Sequence, residues 1–305
     1  MNRLAACLAL LLTSALPLPA ADPAPARPPL REPDKMLHPW QEGDWKGQLP
    51  GDWKLDGAEQ TEVTAHMGGT LTIKNISDPV LAYFAPDKKT EKPGKGIVIC
   101  PGGGYNILAW DLEGTEVATF LSAQGCHAWV LKYRLPRKGT DPVRHLPALQ
   151  DAQRSLSLIR SLAPGLGLDP GQLGIMGFSA GGHLAALTAT TGNERAYPAR
   201  DRIDQVPCRP DFCALIYPAY LLADDKNPGV KPGPANPPAF LCHSADDALT
   251  WRHSSSFFEG LQSHQIRSEL HVWPDGGHGY GMRSPHTPKS WPQLLAAWLG
   301  QQGNG

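Results

Sequence analysis

Gly174-Ile-Met-Gly-Phe-Ser-Ala-Gly-Gly-His183 is the stretch that decides the fold. A β-like run leads into a glycine-flanked turn at Ser179, and Leu184-Ala-Ala-Leu187 continues as a helix. The Gly177-x-Ser179-x-Gly181 pattern is that of a nucleophile elbow, in which a serine sits on a tight strand-to-helix turn. Its neighbours must be small because their backbones pass close to one another. The helix that follows aims unpaired amides at whatever the serine attacks.

Moving outward from this turn, apolar runs recur at regular intervals. Thr70 to Ile76 and Pro79 to Phe84 are expected to form an antiparallel pair at a sheet edge. Ile97 to Cys100, His127 to Tyr133 and Leu173 to Met176 read as buried strands, as do Phe212 to Tyr217, Ala239 to His243 and Glu269 to Trp273. Between them, Thr115 to Gln124, Val143 to Ala163, Arg252 to Ser263 and Lys289 to Leu299 carry helical periodicity. The alternation predicts a single α/β domain around a mainly parallel sheet of about eight strands, covered by helices on both faces. Two long proline-rich segments, Thr191 to Pro210 and Leu221 to Pro238, break the rhythm where ligand loops of open α/β sheets occur.

The amino terminus reads as an export signal over residues 1–21. Arg3 supplies the positive end, Leu4 to Leu16 an apolar run too short to span a bilayer, and Pro17 to Ala21 a small-residue stretch suited to cleavage. Residues 22–66 are expected to be a leader and a tryptophan-rich extension, flexible from Asp22 to Pro39, with the catalytic domain at 67–305. Trp40, Trp45, Trp53 and Trp110 read either as core packing or as a face that stacks on sugar rings. Export permits disulfides, and Cys208 with Cys213 is the first candidate pair, while Cys100 and Cys242 read as buried thiols. The cysteine spacings fit no zinc site, and no metal or organic cofactor is expected. With 28 basic against 29 acidic residues the chain has no basic stripe, which argues against a nucleic-acid partner.

A serine hydroxyl needs a base within reach and an acid to orient it. His278, in the glycine-rich loop Asp275-Gly-Gly-His-Gly-Tyr-Gly281, is the candidate base, and His183 its competitor inside the helix after Ser179. The acid is Asp246 or Asp247, in His243-Ser-Ala-Asp-Asp-Ala-Leu-Thr250; alignment with the common His-Gly-x-x-Asp-Pro-Val turn selects Asp247. Pro101-Gly-Gly-Gly-Tyr105 follows a buried strand, so the amides of Gly103 and Gly104, with that of Ala180, are the candidate oxyanion donors. No Gly-Lys-Ser/Thr follows these glycines, which removes the phosphate-loop reading.

These residues resemble those of secreted α/β-hydrolases of the carbohydrate-esterase type, close to the acetylxylan and feruloyl esterase relatives of the hormone-sensitive lipase group. The resemblance covers about Leu71 to Leu299. It rests on Cys100-Pro-Gly-Gly-Gly-Tyr105, Ala109-Trp-Asp-Leu-Glu-Gly114, Leu149-Gln-Asp-Ala-Gln-Arg154, Gly177-Phe-Ser-Ala-Gly-Gly-His183 and Gly276-Gly-His-Gly279. It implies an α/β-hydrolase fold and a serine esterase acting on acylated polysaccharide such as xylan, in a bacterial periplasm or medium, with no membrane anchor. Tyr105 and Trp110 would then wall the substrate, with Asp111 and Glu113 in structural or sugar-binding roles. Pro101 departs from lipase-like enzymes, which usually carry histidine there. The competing readings are a feruloyl esterase or general carboxylesterase, a serine peptidase of prolyl-oligopeptidase type, and a non-catalytic carbohydrate-binding protein on the same scaffold.

Overall fold

The computed structural model describes residues 27–40, 57–87, 94–136, 143–224 and 228–302. In chain order these form β1 (Lys35–Leu37), β2 (Gln60–Thr64), β3 (Thr70–Lys74), β4 (Val80–Phe84), β5 (Gly94–Cys100) and β6 (Leu108–Ala109). A π-helical turn at Asp111–Thr115 runs into α1 (Glu116–Ala123), followed by β7 (His127–Lys132), α2 (Leu146–Leu166), β8 (Leu168–Phe178) and α3 (Ala180–Thr191). The chain then adds β9 (Cys213–Ile216), β10 (Ala239–Ser244), α4 (Arg252–Ser263), β11 (Ser268–Trp273) and α5 (Trp291–Gln301).

Eight strands build the main sheet in the order β1-β4-β7-β5-β8-β9-β10-β11. β4 runs antiparallel to both neighbours, and β7 through β11 are parallel. The central strands are continuous apolar runs because both faces are covered. Val98, Cys100, Trp129, Ile175, Leu215 and Leu241 pack towards the layer that includes α2, α3 and α4. Their alternating neighbours Ile97, Ile99, Val130, Met176, Ile216 and Phe240 pack towards α1 and α5. From β5 the chain passes to β7 on one side and to β8 on the other, so the order reverses between β5 and β8. Crevices at the carboxyl ends of strands form at such a reversal.

Three expectations change. Thr70 to Ile76 and Pro79 to Phe84 do not pair with each other: β3 joins β2 and β6 in a separate three-stranded sheet, whereas β4 joins the main one. Asn75 (φ +56) lies at the break between them. The 66/67 boundary is not a structural break either, because Lys35–Leu37 is an edge strand of the main sheet, paired with β4. Trp40 helps to fix this segment: the Arg134 and Arg154 guanidiniums lie over its ring at 5.7 and 5.5 Å, and its indole N–H donates to Asp151 at 2.6 Å. Trp40 is thus a core residue, while Trp45, Trp53 and the export signal lie outside the described residues. Finally, Cys208 and Cys213 are both free and buried. Cys213 belongs to the core of β9, whereas the Cys208 thiol contacts the Gly192 carbonyl at 3.6 Å.

Candidate active site

The strand ends of β5, β8, β10 and β11 bring four loops to one edge of the sheet. After β8 the chain turns within one residue, which puts Ser179 at φ +52, ψ −117, a region costing about 1–3 kcal/mol that persists only where the surroundings enforce it. Close packing enforces it here. A Cβ on Gly177 would lie 1.9 Å from the Gly181 carbonyl oxygen, and one on Gly181 would lie 2.0 Å from that of Cys100. Only glycine fits either position.

Ser179 Oγ lies 2.8 Å from His278 Nε2, and His278 Nδ1 lies 2.6 Å from Asp247 Oδ2. A carboxylate only accepts, so Nδ1 carries the proton and Nε2 is free to accept from the serine hydroxyl. Asp246 instead takes the Gly277 amide at 2.8 Å, which fixes the loop without touching the imidazole. The histidine loop is held from several sides: the Gly281 amide donates to Tyr217 Oη, the Trp291 indole to the Gly281 carbonyl, and His66 Nε2 meets the Gly279 carbonyl at 2.8 Å. His66 belongs to the segment expected to be an extension, so that segment reaches the site.

Asp247 has a second imidazole on the same oxygen. His243 Nε2 lies 2.9 Å from Oδ2, and its Nδ1 pairs with the Ser254 hydroxyl at 2.9 Å, with both residues fully buried. The Leu249 amide occupies Oδ1 at 2.7 Å. Burial on its own would raise the Asp247 carboxyl; the hydrogen bonds from His243 and His278 outweigh it and hold the group well below the usual carboxylate range. His243 was not read as a functional residue from sequence. Its signal was a histidine closing an apolar strand four residues before the acid, where an unpaired imidazole would be costly.

Gly103 and Gly104 have φ of +130 and +62, a backbone that favours glycine. Among the described residues no acceptor takes the amides of Gly103, Gly104 or Ala180. The Gly102 amide is different: it donates to Glu113 Oε2 at 2.7 Å. Three free amides beside a serine hydroxyl whose proton has an acceptor form an arrangement able to support acyl transfer.

The aromatic expectations are revised. Tyr105 is only 4% exposed, with its hydroxyl on His183 Nδ1 at 2.8 Å, so its ring has no free face for a substrate. Trp110 is half-buried against both core layers. The ring that does face outward is Tyr220 at 37% exposure, stacked 6.4 Å from Tyr105. His183 does not approach the serine as a base would. Burial, with His145 and His253 nearby, pushes it down to about 3, so it stays neutral behind Tyr105. The 191–210 loop is tied to α2 by Arg154 through Asp201 and Asp204, at 2.6 and 2.9 Å.

The BD-FAE family model matches residues 82–207, which span the glycine loop after β5 and the turn at Ser179. A solved acetyl ester-xyloside bifunctional hydrolase from Caldicellulosiruptor lactoaceticus is 28% identical with a TM-score of 0.69, covering 89% of this chain and 97% of that one. The chain has an α/β-hydrolase fold and is similar to esterases. Among curated relatives of this α/β-hydrolase, an acetylxylan esterase of Xylanibacter ruminicola is 25% identical over 239 residues, which cover 70% of this chain and 46% of that protein. Endo-1,4-beta-xylanase B of Butyrivibrio fibrisolvens is 26% identical over 217 residues, 64% of this chain and 34% of that one. The chain therefore spans less than half the length of these two relatives.

Proposed function

We propose that this α/β-hydrolase is a serine esterase that removes acetyl groups from acetylated xylan-type polysaccharide. The observation that carries the reading is the hydrogen-bonded run Ser179–His278–Asp247 beside three unclaimed amides. Ser179 Oγ attacks the ester carbonyl while its proton passes to His278 Nε2. The negative charge that develops on the carbonyl oxygen is met by the amides of Gly103, Gly104 and Ala180. Asp247 keeps the imidazole in the productive tautomer and balances its positive charge. His278 then protonates the departing sugar oxygen, which leaves as the hydroxyl, and water, deprotonated by the same imidazole, releases acetate from the acyl-enzyme.

Acetyl and xylan specificity draw support from the names of the Xylanibacter and Caldicellulosiruptor relatives, both of which pair an acetyl ester with xylan or xyloside. The sequence of residues 1–21 supports action outside the cytoplasm, where polysaccharide is met. The test is acetate release from acetylated xylooligosaccharides by the parent protein and by Ser179→Ala. The variant is expected to lose at least about 10⁴-fold in kcat. Undiminished hydrolysis by Ser179→Ala would overturn the nucleophile assignment. Cleavage of short aryl esters with none of acetylated sugars would overturn the substrate class.

A further inference from the structure

Between the oxyanion loop and the histidine loop runs a buried chain of hydrogen bonds that acyl transfer itself does not use. The Gly102 amide donates to Glu113 Oε2 at 2.7 Å, the Tyr217 hydroxyl donates to Glu113 Oε1 at 2.8 Å, and the Gly281 amide donates to that hydroxyl at 2.8 Å. Glu113 is 3% exposed and Tyr217 is fully buried. A glutamate in such a place is retained at a cost unless its oxygens are paired, and here each oxygen has one partner. Burial raises the Glu113 carboxyl, and the bonds from Tyr217 and Gly102 partly offset that.

Tyr217 carries a second sign of constraint. Its φ is +36, a conformation that a bulky L residue adopts only when its surroundings hold it there. Those surroundings are the site itself: the Tyr217 ring meets the His278 ring at 5.1 Å and 63°, edge to face. At the other end, a Cβ on Gly102 would lie 2.9 Å from Ser179 Cβ and 2.7 Å from Glu113 Oε2, so Gly102 is wedged between the serine and the glutamate. A movement of Glu113 is therefore passed to the peptide that precedes the Gly103 and Gly104 amides, and a movement of Tyr217 to the imidazole.

We propose that Glu113 and Tyr217 form one positioning bridge that holds the oxyanion amides and the His278 imidazole in register across Ser179. The inference rests on the serine-esterase reading, and neither residue is a catalytic residue, since neither touches a reacting atom. Tyr217→Phe is the smallest perturbation: it keeps the ring against His278 while leaving the Gly281 amide without an acceptor and Glu113 Oε1 without a donor. Glu113→Gln offers a second donor where two acceptors are needed.

The experiment compares the parent, Tyr217→Phe, Glu113→Gln, the double variant and Ser179→Ala. It reads kcat and KM on p-nitrophenyl acetate, the thermal midpoint, and the rate at which a fluorophosphonate labels Ser179, where the Oγ–P bond forms as fluoride leaves. Each single variant is expected to lower kcat by about 10-fold to 100-fold, the scale of an ångström-sized misplacement, with KM within about threefold. The labelling rate falls in parallel. The double variant is expected to lose no more than the worse single one, because either change opens the same bridge. A kcat and a labelling rate within about twofold of the parent in Tyr217→Phe overturn the proposal, as do losses that multiply in the double variant. If Glu113→Gln does not fold, Tyr217→Phe decides alone. A parent that hydrolyses no acetyl ester but is labelled at Ser179 refutes the esterase reading, and the labelling rates of the variants still judge the bridge. A parent with neither activity refutes both.

Discussion

Asp247→Asn separates the two adjacent carboxylates, and its effect follows from the number of donors that converge on Asp247. Oδ2 receives His278 Nδ1 at 2.6 Å and His243 Nε2 at 2.9 Å, while Oδ1 receives the Leu249 amide at 2.7 Å. An asparagine has one acceptor oxygen for these three donors. If that oxygen faces the imidazoles, the amide group opposes the Leu249 N–H. If it faces Leu249, the amide group donates to the imidazoles, and His278 must take the tautomer with its proton on Nε2, where it can no longer accept from Ser179. The second arrangement disables the base while leaving the fold in place. The expected loss is about 10⁴-fold in kcat, equivalent to about 5 kcal/mol of transition-state stabilisation. Asp246→Asn gives up only the charge on its hydrogen bond to the Gly277 amide, and the asparagine oxygen can still accept it. Its kcat is expected to stay within about tenfold of the parent. Steady-state acetate release at neutral pH, with thermal midpoints as the control for folding, measures both. An Asp247→Asn enzyme that folds normally and keeps kcat within tenfold, or an Asp246→Asn enzyme that loses more, would refute the reasoning.

Two further outcomes concern stability. Burial pushes the Cys126 thiol up to about 11 and Cys213 up to about 12, and the five described cysteines are all free and buried; Ellman's reagent at pH 8 should therefore label none of the five before denaturant is added, and reductant should leave the thermal midpoint unchanged. Hydrogen bonds from Arg154 hold the Asp201 carboxyl below its ordinary value, so this pairing stabilises the fold fully above about pH 4 and progressively less as the pH falls towards the lowered value. Arg154→Leu, which strands the buried partners of the guanidinium, is expected to cost about 3–5 kcal/mol near neutral pH, and urea midpoints should show the gap to the parent narrowing at about pH 3.

The sequence was readable wherever a single local constraint decides the structure. The elbow could be read because only glycine fits at 177 and 181, and those positions lie two residues either side of Ser179. The core strands could be read where burial on both faces makes them apolar, which brings β9 and β10 close to their expected spans, whereas β5 and β8 start earlier, at Gly94 and Leu168, and run through polar or glycine residues that the apolar pattern does not mark. The small sheet was misread for the converse reason. β3 and β4 are near neighbours in the chain, yet each finds its partners elsewhere, and nothing in their own residues says so. The amino-terminal segment looked like a leader because its proline-rich composition is that of a linker. Its attachment is made to residues far along the chain: Lys35–Leu37 pairs with β4, Arg31 reaches Asp87 and Ser122, and Trp40 packs on Arg134 and Arg154.

The same distinction applies inside the site. Ser179, His278 and Asp247 stand in loops whose glycine content or position after a strand marks them, so their convergence could be anticipated. His243 and Tyr217 carry no such mark, and Glu113 reads only as a structural or sugar-binding residue of the motif at 109–114. Each lies at or beside a strand end or in a helical turn, and each is identified only by what it touches: His243 by sharing Oδ2 of Asp247, Tyr217 by its ring on His278, Glu113 by the Gly102 amide. Reacting groups need an unusual backbone or an open loop, and those leave a signature in the local sequence. Groups that hold the reacting ones in place need only to be buried and paired, and any polar residue at a strand end can meet that condition. The supporting layer of a hydrolase site is thus the part that sequence conceals and geometry reveals. A change there is expected to alter kcat while leaving the motif that identifies the enzyme intact.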